Sequence, residues 1–419
     1  MTVINRIHNI DSRNILSILT EENMVQTTIT SPPYFDLKDY GVENQIGFGQ
    51  SYEKYLADLQ SVFGQILKRT KDDGTLWIII DTFKRNGSVV PLPFDLANKL
   101  KEIGWHFQDV IVWKKDKTVP WSTSGFIQKK IEYILFFSKQ KKYKYNKDVI
   151  RVYDTQQLKQ WWVKYPERYN PRGKALDQVW EYPIPVQGAW GQNHIRHFCP
   201  LPQEMVATMI LLSTDEQDVV LDPFSGSGTV LAQTAYMRRN YIGVELNSQY
   251  VQQSNEYIQN TIVDGKRKYD KFISRSGQEE FENIIWNLRA LKYGRILLKN
   301  IEMRTMIDAK IIVTPQKITD QYLLVDYTIL ANLQNVNIYK DILNEITKNT
   351  PLKKFGIVPR INYAEDVSML NGLHAYSITN TFKTLSCEEM SKAKVFSNVK
   401  LNIDEKEKSI SFDIIIDFA

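Results

Sequence analysis

Strand-like and helix-like hydrophobic patterns alternate through roughly the first 260 residues of the chain. Apolar residues recur at helical spacing in SYEKYLADLQSVFGQILKRT, with Ser51 as the expected N-cap, and PFDLANKLKEIG predicts a second helix that Gly104 ends. The segment KDDG, after the first of these helices, is interpreted as a turn. The other predicted strands are TLWIIID, FQDVIVWKK, IEYILFFSK, DVVLD and YIGVE, and the other predicted helices are TVLAQTAYMRR and SQYVQQSNEYIQN. This alternation favours a doubly wound, mostly parallel α/β sheet with helices on both faces.

Two later segments break this pattern. Residues 139–194 mix Lys and Arg with Tyr and Trp and show little periodicity. After a linker at Lys266–Lys271, residues 272–419 resemble a separate α+β domain, with a helix near Gln278–Leu291 and strands such as IIVTP, YLLVDYTIL and ISFDIIIDF. We therefore predict one domain at residues 1–264 and a second at residues 272–419.

Composition and charge narrow the class of protein. The 419 residues are 43% hydrophobic and 24% charged, as in ordinary globular proteins, and contain no apolar run of the roughly 18 residues that a membrane helix requires. The N-terminus lacks a signal-peptide core, so we expect a cytoplasmic protein with no membrane partner. The two cysteines, Cys199 and Cys387, form no CxxC pair, which argues against a disulfide framework or a metal site.

Basic residues are concentrated in one segment. The chain has a net charge of +5, but residues 110–175 contain 16 Lys and Arg against 5 Asp and Glu. Such a polarised distribution predicts that this segment contacts a polyanion.

The stretch DVVLDPFSGSGT, residues 218–229, predicts a ligand site at the end of a strand. Gly226 and Gly228 let the backbone approach a ligand closely, and Glu245, at the end of the next strand, can accept hydrogen bonds from ribose hydroxyls. Leu231 replaces the third glycine of a dinucleotide fingerprint, and no phosphate-binding lysine is present. Asp222 would repel a pyrophosphate but suits a sulfonium or ammonium group, which indicates S-adenosylmethionine. A glycine turn of an ordinary α/β protein is the alternative.

A methyl donor in turn explains TSPPYFDLKDYG, residues 30–41. Exocyclic amino nitrogens of bases are poor nucleophiles, so an enzyme must hold their hydrogens with acceptors. Ser31 Oγ and the Pro32 carbonyl can serve, held rigid by Pro32 and Pro33, while Tyr34 can stack on a flipped-out base. Methylation at cytosine C5 uses a cysteine after a proline, and neither cysteine here follows one.

Six stretches in this order resemble the β-group DNA amino-methyltransferases, the N4-cytosine and N6-adenine enzymes of restriction–modification systems and phages. They are TSPPYFDLKDYG, DDGTLWIII, GWHFQDVIVWKK, KIEYILFFSK, HFCPLPQEM and LDPFSGSGT, and the resemblance covers about residues 8–260. It implies a circularly permuted, Rossmann-like sheet of seven strands with the two motif strands as neighbours. The serine of the tetrapeptide resembles N4-cytosine enzymes more than the Asp and Asn forms typical of N6-adenine enzymes.

The resemblance also implies site residues. The catalytic set is Ser31, Pro32, Pro33 and Tyr34. The cofactor-binding set is Asp11, Thr30, His197, Phe198, Pro200, Asp222, Pro223, Phe224, Gly226, Gly228, Thr229, Glu245, Leu246 and Asn247. Asp11 is a helix N-cap and His197 a buried structural histidine in the alternative interpretation. Glu132 and Asp81 lie where the sequence departs from the family pattern, and they receive no role.

DNA contacts are expected from about residues 114–195, where the family keeps its target-recognition region. The candidates are Lys114, Lys115, Lys117, Lys141, Lys142, Lys144, Trp161, Trp162, Arg168 and Arg172. Affinity from phosphate contacts predicts a steep salt dependence, whereas a solvated lysine-rich loop would show a shallow one.

The leading hypothesis is methylation of cytosine N4 in duplex DNA after base flipping, within a restriction–modification system and beside an endonuclease for the same site. Adenine-N6 methylation, RNA methylation and a non-catalytic DNA-binding subunit are the rivals. Residues 272–419 leave three functions open: extra DNA recognition, a dimerisation or partner module, or a fused nuclease, for which Asp308-Ala309-Lys310 is the only candidate motif.

Overall fold

The computed structural model describes residues 2–116, 129–152, 168–185 and 201–264, four residues at 282, 285, 289 and 292, and the backbone of six strands between 309 and 415. The chain divides into two compact units. The first contains residues 1–150 and 176–274, and the second contains residues 151–175 and 275–419.

A large mixed sheet forms the centre of the first unit. The strands of this unit are β1 (Arg6–His8), β2 (Val25–Thr30), β3 (Thr70–Ile80), β4 (Phe83–Arg85), β5 (Ser88–Val90), β6 (His106–Lys114), β7 (Ile131–Ser138), β8 (Val179–Glu181), β9 (Val219–Asp222) and β10 (Asn240–Val244). The sheet order is β1-β10-β9-β2-β3-β7-β6-β8, while β4 and β5 form a hairpin. β2 and β9 are parallel neighbours, with Thr28 opposite Leu221, so the predicted adjacency of the two motif strands is confirmed.

Helices cover both faces of this sheet, as predicted. They are α1 (Tyr52–Arg69), α2 (Leu92–Glu102), α3 (Gln203–Ser213), α4 (Thr229–Tyr236) and α5 (Ser248–Asp264). Side chains of β3 alternate between two cores: Ile78 and Ile80 pack with α1 and α2, whereas Trp77 and Ile79 pack with α3 on the other face. None of the helices in the described ranges combines the length and the apolar character that a membrane crossing requires.

The sheet is mostly parallel, as predicted, but the structure corrects two other expectations. Strands β1, β10, β9, β2 and β3 are parallel, but β7 runs antiparallel to β3 and β6 antiparallel to β7. The three-residue strand β8 pairs with β6 and adds an eighth strand at the edge.

The second correction concerns KDDG, which is not a turn between α1 and the strand. It lies within β3 as a bulge: Val25 pairs with Thr70 and Thr27 with Thr75, so residues 71–74 lie opposite Gln26. Gly74 makes this bulge feasible, because a Cβ there would lie 3.0 Å from the Gln26 carbonyl oxygen and would collide with Thr70.

The second unit contains two further sheets. Its strands are β11 (Ala309–Ile318), β12 (Leu323–Ala331), β13 (Ile357–Tyr363), β14 (Lys394–Phe396), β15 (Asn398–Asp404) and β16 (Ser409–Ile415). The first four form a sheet in the order β13-β12-β11-β14, and β15 pairs with β16. The four described residues between 282 and 292 are helical, within or next to the predicted helix at Gln278–Leu291.

Candidate active site

Two parallel strands end side by side and bring the two sequence motifs together. Thr30 is the last residue of β2 and Asp222 is the last residue of β9. The buried Thr30 hydroxyl donates to Asp222 Oδ1 at 2.6 Å, which fixes one strand end against the other. Ser31, Tyr34, Asp222 and Glu245 consequently line one cavity of about 300 Å³, at the lower end of the range typical of small-molecule sites.

Asp222 supplies a buried carboxyl group to this cavity. It is 2% exposed, and burial raises its pKa to about 7, although Oδ1 accepts hydrogen bonds from the Thr30 hydroxyl and the Phe224 backbone N–H. A cation beside it would favour the ionised form. The site is therefore suited to a sulfonium or ammonium group, as expected from the sequence.

Glu245 follows β10 and faces the same cavity. Its Oε2 accepts from the Gly226 N–H at 2.9 Å and its Oε1 from the Asn247 N–H at 2.8 Å, yet burial still raises its pKa. Each carboxylate oxygen can accept further hydrogen bonds, so hydroxyl donors of a ribose can be accommodated.

The glycine loop packs closely against a helix. Gly228 has φ +76°, and a Cβ there would lie 2.8 Å from the Cβ of Ser254 on α5. The Ser254 hydroxyl donates to the Gly226 carbonyl at 2.7 Å. The close approach that requires Gly228 is therefore with α5, and Gly228 is absent from the cavity wall, unlike Gly226 and Thr229.

Asp11 caps a helix, which is one of the two alternatives that the sequence left open, and it also faces the cavity. It lines the cavity and also caps the 3-10 helix Ser12–Ser17, accepting from the Arg13 N–H at 2.8 Å. The Arg13 guanidinium pairs with the same carboxylate, and this interaction, partly opposed by burial, raises the arginine pKa. Asp11 is thus held in a fixed orientation at the edge of the cavity.

The corner at residues 31–34 is held by aromatic residues of α1. The Tyr55 hydroxyl donates to the Pro33 carbonyl at 2.6 Å. Phe35 has φ +55°, a conformation that costs a bulky residue of order 1–3 kcal/mol, and its buried ring contacts Tyr52 and Tyr55 at centroid distances of 5.3 Å. Packing against α1 therefore maintains a strained backbone directly after the Ser31–Tyr34 corner.

Tyr34 connects the corner to β7. Its hydroxyl lies 3.0 Å from Glu132 Oε2 and 3.4 Å from Ser31 Oγ. Burial and the Glu132 charge raise the pKa of the phenol well above its usual value, so Tyr34 is neutral across the physiological range. Sequence reasoning assigned no role to Glu132, because nothing along the chain shows that residues 34 and 132 meet.

Several other residues of the cavity wall were also missed. They include Ser12, Lys38, Tyr40, Val42, Gln45, Ile46, Leu201 and Tyr250. Most of them belong to the loop after the corner, where Gln45 holds the backbone by accepting from the Tyr40 N–H and donating to the Lys38 carbonyl. A rigid Pro-Pro corner could have indicated that the next residues stay near the strand end.

The basic candidates lie at different places in the fold. Lys114 ends β6, opposite Ile131, and therefore lies at the same end of the strands as the Ser31–Tyr34 corner. Lys115 pairs with Glu132, and Lys114 makes an exposed pair with Glu181 at 2.7 Å.

By contrast, Lys141, Lys142 and Lys144 follow Ser138, which lies opposite Thr75 near the other end of β3. Lys144 pairs there with Asp215 and Asp218 at 2.9 and 2.8 Å. The second unit contains Arg168 and Arg172. Lys117, Trp161, Trp162, His197, Phe198, Pro200 and Asp308 lie outside the described residues.

Known proteins match the part of the chain that carries these features. A model of the DNA methylase family matches residues 25–256, more than half of the chain. The type II methyltransferase M.Cfr9I of Citrobacter freundii is 30% identical over 257 residues, covering 54% of this chain and 79% of that protein. M.XycI of Xanthomonas campestris pv. cyanopsidis is 29% identical over 266 residues, covering 56% and 81%.

Two solved structures are also similar to part of this chain. TTHA0409 of Thermus thermophilus, crystallised with S-adenosyl-L-methionine, aligns with a TM-score of 0.44 at 27% identity, covering 62% of this chain and 96% of that chain. The cytosine-N4-specific PvuII DNA methyltransferase aligns with a TM-score of 0.47 at 17% identity, covering 68% and 94%. On the sequence match across residues 25–256, this chain belongs to the DNA methylase family of N6-adenine and N4-cytosine methyltransferases, with S-adenosyl-L-methionine as its cofactor.

Proposed function

We propose that this enzyme methylates the exocyclic N4 amino group of cytosine in duplex DNA. The observation that carries the proposal is the single cavity lined by both the Ser31–Tyr34 corner and the Asp222–Glu245 pair. A base at the corner and a cofactor between the two carboxyl groups would then be neighbours, as direct transfer requires. The serine of the corner, rather than Asp or Asn, supports cytosine over adenine.

The cofactor supplies an electrophilic methyl group on a sulfonium, and residues of this chain would prepare the nucleophile. Ser31 Oγ and the Pro32 carbonyl accept the two amino hydrogens and turn the nitrogen lone pair toward the methyl group. As the N–C bond forms, the bond between the methyl group and the sulfonium would break and leave a neutral thioether, and the nitrogen would lose one proton past these acceptors to water, which leaves a neutral methylamino group. The prolines fix the acceptors before substrate arrives, so little reorganisation is required during the reaction.

Access to this cavity requires base flipping, because the amino group of a paired cytosine lies inside the duplex stack. Tyr34 lines the cavity beside Ser31 and offers a ring on which the extruded base can stack. We expect Ser31→Ala to abolish most turnover while cofactor affinity is retained.

The base can be identified directly. Duplex DNA methylated by the pure enzyme is digested to nucleosides, and the products are separated and weighed. N4-methylcytosine supports the proposal, and N6-methyladenine replaces it with the adenine-N6 alternative. Cofactor binding without transfer to any duplex DNA would favour the non-catalytic subunit, and competition by RNA would favour an RNA substrate.

DNA would approach from the edge of the sheet at which the cavity opens. Lys114 and the exposed Lys130 lie at this edge and can contact phosphates. We leave Lys141, Lys142 and Lys144 out of this surface because of their position at the other edge. Protection of the recognition site against a cognate endonuclease is the proposed biological role, as the names of the type II methyltransferases M.Cfr9I and M.XycI suggest.

The second unit is proposed to extend target recognition. Residues 151–175, from the middle of the expected recognition region, form one compact unit with residues 275–419. Within it, Arg289 donates to the Tyr169 carbonyl and Arg151 to the Gly173 carbonyl. This association favours DNA recognition over a separate nuclease for the C-terminal third.

A further inference from the structure

A chain of polar groups runs from the catalytic serine to β7 and β6. Ser31 Oγ lies 3.4 Å from Tyr34 Oη, and Tyr34 Oη lies 3.0 Å from Glu132 Oε2. The other oxygen of Glu132 forms an ion pair with Lys115. The side chains of Glu132 and Lys115 are only 11% and 19% exposed, so water does little to screen this pair.

The direction of each hydrogen bond follows from the chemistry of its partners. A carboxylate can only accept, and so can the Ile79 carbonyl oxygen 3.5 Å from Tyr34 Oη, so Tyr34 donates its single hydroxyl proton away from Ser31, to Glu132 at the shorter distance of 3.0 Å. Tyr34 Oη then has no proton left for Ser31 and can only accept from it. The Ser31 hydroxyl therefore donates to Tyr34, which leaves the lone pairs of Ser31 Oγ available to the cavity.

The ion pair with Lys115 maintains this direction, because the ammonium can only donate and occupies Glu132 Oε1, which leaves Oε2 to accept from Tyr34. A second pair at the same sheet edge joins Asp81 and Lys129 at 2.8 Å, so the neighbouring carboxylate is also compensated. Lys115 is further placed over the Trp113 ring, with 5.2 Å between Nζ and the ring centroid. These contacts hold Glu132 and Lys115 in place at the acceptor end of this series of polar groups.

We infer that Glu132 is a positioning residue that, through the Tyr34 hydroxyl, orients the Ser31 hydroxyl so that its oxygen accepts a hydrogen from the target amino group. The inference rests on the proposed function and extends it, because it explains why a hydroxyl, which can donate or accept, acts only as an acceptor toward the target amino group. It assigns Tyr34 a second role beside base stacking. It also gives Lys115 a function within the enzyme in place of a DNA contact.

The test compares Glu132→Gln, Tyr34→Phe and the double variant in the full-length enzyme. The glutamine amide can donate to Tyr34, which would redirect the tyrosine proton toward Ser31, and phenylalanine keeps the ring but removes the link. We expect each variant to reduce the single-turnover rate at saturating DNA and cofactor about ten- to hundredfold, with both dissociation constants unchanged. The double variant should be no slower than the slower single variant, because both break the same chain.

Glu181→Gln is the matched control, because Glu181 is also a strand glutamate paired with a lysine but does not contact the corner. It should retain the wild-type rate. A wild-type rate for Tyr34→Phe, or losses that multiply in the double variant, would overturn the inference. Tyr34→Phe decides the matter if Glu132→Gln fails to fold. An inactive wild-type enzyme would instead refute the proposed function itself.

Discussion

At the residue scale, the buried Asp222 carboxyl suits a bound cation but lowers the free energy of unfolding when it is ionised without one. Its pKa of about 7 lies well above that of an exposed aspartate, because burial disfavours the charge. The unfolded carboxyl ionises near pH 4, so the folded state holds the extra proton between about pH 4 and pH 7, and stability decreases as pH rises through this window. A bound cation reverses this preference.

Because the raised pKa of Asp222 keeps the carboxyl protonated below about pH 7, cofactor affinity should depend on pH. Below about pH 7, binding must displace the Asp222 proton, so we expect affinity to rise with pH, by at most tenfold per unit, and to level off above it. Calorimetric titration of the cofactor at several pH values measures the slope of the logarithm of affinity against pH. In Asp222→Asn the slope due to this carboxyl should vanish and affinity above neutral pH should fall. A slope unchanged in Asp222→Asn would show that another group, or the cofactor itself, is titrating.

Tyr55 provides a second prediction at this scale. Tyr55→Phe keeps the ring but leaves the Pro33 carbonyl without its 2.6 Å hydrogen bond, so the corner loses a tether. We expect a loss of about 1–3 kcal/mol in the free energy of unfolding and a lower turnover rate. Tyr52→Phe is the control, because it removes a 2.8 Å hydrogen bond to Asp95 from the same aromatic cluster without touching the corner. Equal turnover in the two variants would exclude a role for the tether.

Individual site residues could be predicted where a motif names the chemistry. Ser31, Tyr34, Asp222 and Glu245 line one cavity, as their motifs indicated. Tyr55 and Glu132 could not be predicted, because their roles depend on contacts across 22 and 98 positions of the chain. A buried tyrosine in an amphipathic helix resembles core packing until its hydroxyl is seen to meet a backbone carbonyl.

At the element scale, the local pattern predicted the helices and strands well but not the reversed direction of β7. Ser51 caps α1 by accepting from the Lys54 N–H, and β2 and β9 are neighbours, as expected. The antiparallel pairing of β7 and the KDDG bulge were not predictable, because both are set by pairing partners distant in sequence. A polar, glycine-containing tetrapeptide has the same composition in a turn and in a bulge.

The junction of the glycine loop and α4 can be tested by adding one methyl group. Gly228→Ala combines an unfavourable φ of +76° with a contact of 2.8 Å to Ser254, so we expect a destabilisation of at least about 2 kcal/mol and weaker cofactor binding. Gly64→Ala, inside α1, is the control. Its new Cβ would lie 3.6 Å from Ile103, an ordinary contact, and should stabilise the helix by up to about 1 kcal/mol. Urea unfolding distinguishes them, and a neutral Gly228→Ala would mean that α5 can shift.

At the scale of the whole molecule, lysines at the two ends of the sheet strands have different roles, one in folding and the other in the proposed DNA contact. At the edge away from the cavity, Lys71 and Lys144 both pair with Asp218. Partial burial opposes the charge on Asp218, but these lysine hydrogen bonds outweigh it and lower its pKa. A high density of lysine in the sequence therefore does not by itself locate a DNA surface.

Two lysine variants distinguish a role in folding from a role in DNA binding. Lys144→Met should lower the free energy of unfolding by about 1–3 kcal/mol and leave DNA affinity unchanged, because it leaves Asp218 with one partner fewer. Lys114→Met should weaken DNA binding and reduce the salt slope by about one ion, with little effect on folding. Fluorescence anisotropy at several salt concentrations measures the slopes. Weaker DNA binding by Lys144→Met would return the far edge to the DNA surface.

The pairing of Arg6 with Ile242 and of Val25 with Val219 has a consequence for biosynthesis. While the nascent chain is shorter than about 220 residues, the fully buried strand β2 has no partner on one side. That edge exposes unpaired backbone N–H and C=O groups, which can pair with other chains. The ribosome must release nearly the entire first unit before that edge is covered. The methyl donor can therefore bind only after nearly the entire first unit has been synthesised, and it cannot rescue a chain that misfolds or aggregates before that point.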